Sequence, residues 1–101
     1  MSPRGASPWG PVVHELRTWP AYFAAVLDGE KTFEIRKDDG RIFMVGDVLL
    51  LREWYKVGES YSGRALRVRV LYVARLSTIP GFPAIDRAWV VMGLGKPVLE
   101  P

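Results

Sequence analysis

Most of this chain alternates apolar and polar residues with a period of two, the pattern of strands that bury one face. Arg64–Leu76 is the longest such run. Leu66, Val68, Val70, Tyr72, Ala74 and Leu76 share one face, and Arg67, Arg69 and Arg75 share the other with Leu71 and Val73. Lys31–Lys37 alternates too, setting Phe33 and Ile35 against Thr32, Glu34 and Arg36. A third strand, Val48–Trp54, opens with Val48, Leu49, Leu50 and Leu51 in succession, as a strand buried on both faces does. Val12–Leu16 and Ala88–Leu94 read as two more, the latter with Trp89 and Val91 opposite Val90 and Met92. Only Trp19–Asp28 changes period. Trp19, Phe23, Val26 and Leu27 recur on one helical face bordered by Tyr22. Thr18 stands at the expected N-cap, Pro20 in the first turn, and Gly29 supplies the positive φ that ends a helix.

Turns are expected at Asp38-Asp39-Gly40, Val45-Gly46-Asp47 and Ser62-Gly63, and a loop at Pro80–Pro83. The order is then one strand, one helix and four strands. One helix cannot cover a five-stranded sheet, so much of the sheet must cover itself, and closure into a barrel does this. The predicted fold is mainly β (α+β): a small barrel of about five strands with one main helix between strands one and two. An open α+β sheet with the helix on one face is the competing architecture. With 101 residues the chain fits a single domain. It is expected over residues 12–94, after a flexible Pro-, Gly- and Ser-rich lead-in (1–11) and before a C-terminal tail (95–101).

Composition narrows the chemistry. The absence of cysteine excludes disulfides, thiolate metal sites and a cysteine nucleophile. His14 is the single histidine, so a zinc site would have to draw its other ligands from carboxylates; no metal and no cofactor are expected. No apolar run reaches the ~18 residues of a membrane span, and the N-terminal stretch lacks a secretory signal's apolar core, so a cytoplasmic protein is expected. The net charge of +3 is unevenly placed: residues 1–60 hold eight basic and nine acidic side chains, residues 61–101 six and two. The second half is the candidate face for an anionic partner, or else an ordinary solvated basic surface.

The candidate site lies on the second strand. Glu34 and Arg36, at i and i+2, project from one face about 7 Å apart, and Lys31 begins the strand beside Gly29. Lys31 or Arg36 would hold a phosphate or base carbonyl, and Glu34 would accept hydrogen bonds from an exocyclic amine. The plainer alternative is a surface ion pair. His14 is either a general acid–base group or a ring satisfied by a backbone group. Arg52 and Glu53 end the third strand, where they could serve the mouth of the barrel or simply contact each other. Trp54, Tyr55 and Tyr61 could stack on bases or pack. Arg64, Arg67, Arg69 and Arg75 would suit a phosphate backbone.

Gly29-Glu30-Lys31-Thr32-Phe33-Glu34-Ile35-Arg36 resembles the helix-to-strand segment of the ASCH family, a branch of the PUA-like superfamily. That family's pattern is Gly, any residue, Lys, two residues, Glu, any residue, Arg, and here it is complete. His14-Glu15-Leu16, Val45-Gly46-Asp47, Leu51-Arg52-Glu53 and Tyr61-Ser62-Gly63-Arg64 extend the likeness over about residues 12–94, to a short subfamily of phages and bacteria with no assigned activity. The resemblance implies a PUA-like barrel with a cleft beside the helix that binds RNA or a nucleotide, including a modified nucleoside. One branch hydrolyses the acetyl amide of 4-acetylcytidine, and ribonuclease activity is known for another, so Lys31, Glu34 and His14 would be the catalytic candidates of an enzyme. In the amidohydrolase branch, however, a threonine occupies the position of Glu34, and a carboxylate cannot replace a hydroxyl nucleophile without a different intermediate. Thr32 is two residues early, and Glu34 could instead act as a general base on water with Lys31 stabilising an oxyanion. Two readings of different class follow, a nucleic-acid-binding module and a small hydrolase, with a phage-type protein-binding adaptor as a third.

Overall fold

The computed structural model describes residues 11–81 and 88–101. The lead-in up to residue 10 and the far end of the Pro80–Pro83 loop lie outside the described residues. The elements are β1 (Val13–Thr18), α1 (Pro20–Leu27), β2 (Phe33–Lys37), β3 (Val48–Tyr55), β4 (Ser60–Arg75), a 3-10 turn (Leu76–Thr78), β5 (Trp89–Leu94) and β6 (Val98–Leu99). They build a six-stranded mixed sheet in the order β1-β3-β4-β5-β2, with β6 beside β4. Strand β1 runs parallel to β3, and every other pairing is antiparallel.

The long strand β4 is the spine. Its first part pairs with β3 and β6 and its second part with β5. Between them the register slips at Val70/Tyr72, leaving Leu71 as the extra residue of a bulge. The bulge explains why the predicted face breaks: Leu66, Val68 and Val70 are buried, but Tyr72 is exposed. Phe23 and Val26 of α1 complete the core with Leu49, Leu51, Val90, Met92 and Phe43. Burying a side chain such as Phe23 contributes about 1.5–3 kcal/mol.

The mainly β architecture with one helix between the first two strands is present, with six strands among the described residues against the expected five or so. The sheet does not close. Strands β1 and β2 are its two edges, and no ladder joins them. One side chain spans the seam: a terminal guanidinium nitrogen of Arg36 on β2 donates to the Arg17 carbonyl on β1 at 2.8 Å.

Other expectations shift for local reasons. Trp19 is the N-cap residue of α1, and Thr18 ends β1 instead of capping the helix. The β3–β4 turn falls at Lys56–Glu59, where Gly58 and Glu59 both have positive φ, while Ser62-Gly63 lies inside β4. Strand β3 buries Leu49 and Leu51 on one face only, with Val48 and Leu50 half-buried on the other. The expected tail carries β6, too short for periodicity to reveal, with Leu99 and Val98 opposite Leu66 and Arg67.

Asp47 fastens the start of this sheet. Its backbone is set by the Gly46 turn (φ 93°), and its carboxylate is fully buried. It accepts from the Val12 and Met44 amides at 3.2 and 3.1 Å and pairs with His14 Nε2 at 2.9 Å. Removing it leaves buried donors without an acceptor. Asp47→Ala is expected to cost about 2–4 kcal/mol in urea unfolding; a loss under about 0.5 kcal/mol would contradict this role.

Candidate functional site

Strand β2 is turned against its own hydrophobicity. Phe33 and Ile35 are 42% and 50% exposed, whereas Glu34 between them is 2% exposed. A carboxylate is buried only when charge and hydrogen bonds compensate its lost hydration. Here Lys31 Nζ donates to Oε1 at 2.5 Å and Arg36 Nε to Oε2 at 2.7 Å. The helix end positions Lys31: Gly29 takes φ 82°, and the Lys31 amide returns to the Ala25 carbonyl. Its ammonium lies 5.4 and 5.3 Å from the ring centres of Tyr22 and Phe33. Arg36 is fixed at its other end by the Arg17 carbonyl and by Thr18 Oγ1 at 3.3 Å.

These residues line a cleft of about 700 Å³ between α1, the end of β1 and β2. Trp19 and Tyr22, both about half exposed, stand over it with their rings 10° from parallel and centres 6.1 Å apart. Arg17, Lys37 and Arg41 join Lys31 and Arg36, so the cations of the lining outnumber its carboxylates, Glu34 and Asp39. The lining therefore offers aromatic faces and cationic donors, a combination suited to planar anions.

Of the residues singled out from sequence, Lys31, Glu34 and Arg36 are brought together here. His14 is not: it is buried, paired with Asp47 and packed on Phe43 at a centroid distance of 4.6 Å, outside the cleft lining. Arg52 lies over the Tyr61 ring at 3.8 Å and pairs with Glu15 at 3.3 Å, while Trp54 receives Arg17 at 4.7 Å. Buried Glu53 is gripped by both arms of Arg64 at 3.0 and 3.1 Å. The four arginines of the expected stripe are dispersed. Arg64 turns inward over the Phe23 ring, Arg67 holds Glu100 at 3.2 Å, and Arg69 is exposed. Arg75, displaced by the Leu71 bulge, donates to the Phe43 carbonyl at 3.4 Å. Sequence reasoning missed Arg17, Thr18 and Arg41 as lining residues, and placed Trp19 on the packed face of the helix with Tyr22 at its border.

The Arg64 hydrogen bonds hold the Glu53 carboxyl below the ordinary carboxylate range, opposed by burial and assisted by the Ser62 side chain. The pairing reciprocally raises Arg64. A depressed folded-state pKa gives stability that is present at neutral pH and is lost as pH falls through the unfolded carboxylate range toward the folded value. Glu53→Gln is therefore expected to be less stable than wild type at pH 7, with the gap narrowing as urea titrations are repeated toward pH 3. A gap that stays constant with pH would contradict the pairing.

Comparison with known proteins finds a matching family and a similar phage protein. The profile of a family described as "Domain of unknown function (DUF3850)" matches residues 13–94. An "Uncharacterized 12.9 kDa protein in GpA 3'region" of Escherichia phage P2 is 40% identical over 65 residues, 64% of this chain and 57% of that protein. The chain thus aligns with little more than half the length of that relative.

Proposed function

Since the chain belongs to the DUF3850 family, whose description names no activity, we propose from the site itself that it is an ASCH-type, PUA-like module that binds RNA or a single nucleotide in the cleft beside β2. The observation that carries this reading is the burial of Glu34 between Lys31 and Arg36 on a strand whose apolar side chains face solvent. Folding stability alone would put Phe33 and Ile35 inside. The bridge from Arg36 on β2 to the Arg17 carbonyl on β1 supports this reading, because it draws the two edges of the sheet together beside the cleft.

The proposal gives these residues separate roles. Both Glu34 oxygens already accept from cations, so its task is to aim Lys31 and Arg36, and these present the donors to the ligand. An ammonium has three N–H groups and a guanidinium five, so donors remain after these bonds. They fit a phosphate or a base carbonyl, with the base against the Trp19 and Tyr22 rings. A hydrolase would need either an activated hydroxyl or a carboxylate free to take a proton from water, and both Glu34 oxygens are engaged by cations. The Thr18 hydroxyl lines the cleft, but it donates to the Leu16 carbonyl at 3.5 Å and receives from Arg36, and neither group removes a proton. Binding without turnover is the better reading.

The test is a titration with the nucleoside monophosphates, read by tryptophan fluorescence. Binding should weaken with added salt, and Lys31→Ala and Arg36→Ala should each weaken it about tenfold or more, as loss of a charged hydrogen bond does. Mononucleotide binding left unchanged by both substitutions would overturn the proposal. Incubation with 4-acetylcytidine should release no cytidine; release that disappears in Lys31→Ala would install the hydrolase instead.

A further inference from the structure

A second depression, of about 460 Å³, shares Trp19 with the cleft and is lined by Trp19, Pro20, Ala21, Tyr55, Lys56 and Val57. Trp19 belongs to both linings, so the two spaces adjoin at this residue. Apart from Lys56 the second lining is uncharged and apolar or aromatic. Lys56 sits at the β3–β4 turn, its ammonium 5.7 Å from the centre of the Trp19 ring. Next to it Val57 is 94% exposed at the tip of the turn, an apolar side chain that no folding requirement places there.

Resting on the proposed nucleotide-binding cleft, we infer that this depression is a second subsite, for the neighbouring nucleotide of a single-stranded nucleic acid. A base is the ligand group that is planar and largely apolar on its faces, and each base in a strand is followed by a phosphate. The depression supplies the matching parts: the aromatic residues Tyr55 and Trp19 for a base, and the Lys56 ammonium for the phosphate beside Trp19. Continuity with the cleft through Trp19 gives the strand its path. A strand of two or more nucleotides would then engage both spaces, whereas a mononucleotide engages only the cleft.

The experiment compares a mononucleotide with a uridine trinucleotide and with the trinucleotide's deoxy counterpart, on the full chain at about 50 mM salt. Stacking of one added base contributes a factor of roughly ten, so the trinucleotides should bind about tenfold more tightly than the mononucleotide. Lys56→Glu, at an exposed turn, should abolish that gain and leave mononucleotide binding unchanged; Tyr55→Ala should reduce it. Equal affinity for mononucleotide and trinucleotides would overturn the second subsite while leaving the cleft intact, and so would a gain that survives both substitutions. Failure of every nucleotide to bind the wild-type protein would overturn both readings. If a ribose strand alone shows the gain, the subsite is an RNA site; if both strands show it, it reads single strands of either sugar.

Discussion

A carboxylate buried at an edge strand must be compensated on every side, and Glu34 is compensated by two cations that reach it from different directions. Lys31 arrives from the end of the helix and Arg36 from two residues along the same strand. Arg36 then continues across the seam to the carbonyl of Arg17, so one set of charges ties the helix end, β2 and the end of β1 together. The arrangement sets the shape of the cleft. Without it the two edges of the sheet would share no contact of this kind, and the face of β2 with Phe33 and Ile35 would have reason to turn inward.

The cost of this design is visible on the outside. Phe33 and Ile35 stand in solvent, and the neighbouring Tyr72 does as well. Replacing a buried ion pair by apolar residues is often neutral or stabilising, so a sheet optimised only for folding would not keep Glu34 where it is. The rest of the molecule carries the stability. Asp47 fastens the start of the sheet, Glu53 and Arg64 hold β3 to β4 beneath the helix, and the core between them is continuous. Under the proposed reading, function and stability fall to different buried acids: Glu34 aims donors at an open space, while Asp47 and Glu53 are closed in by their partners.

Much of this was legible in the sequence because it depended on local rules. The period of two found the strands, the single change of period found α1, and Gly29 and Gly46 mark backbone turns that require positive φ. The pairing of Glu34 with Arg36 was legible because strand alternation fixes which side chains share a face, whereas Lys31 precedes β2 and reaches Glu34 from the helix end. Alternation cannot say which face is inside, however, and here the polar one is. Nor can it foresee a bulge, so the arginines of β4 looked like one stripe when Leu71 in fact turns Arg75 away from Arg67. Thr18 was misread because a threonine before a proline-led helix is a good cap by composition, whereas tertiary contact with Arg36 decides its place. His14 offered no signal of its partner Asp47, which lies far along the chain and meets it only through the parallel pairing of β1 with β3.

Amide chemical shifts of the isotopically labelled protein, followed as a nucleoside monophosphate is added, test the central claim most directly. The account predicts that the largest changes fall on Thr18, Lys31, Glu34 and Arg36 and on the indole of Trp19. Changes confined to the outward face of β3 and β4, around Arg67 and Arg69, would contradict it.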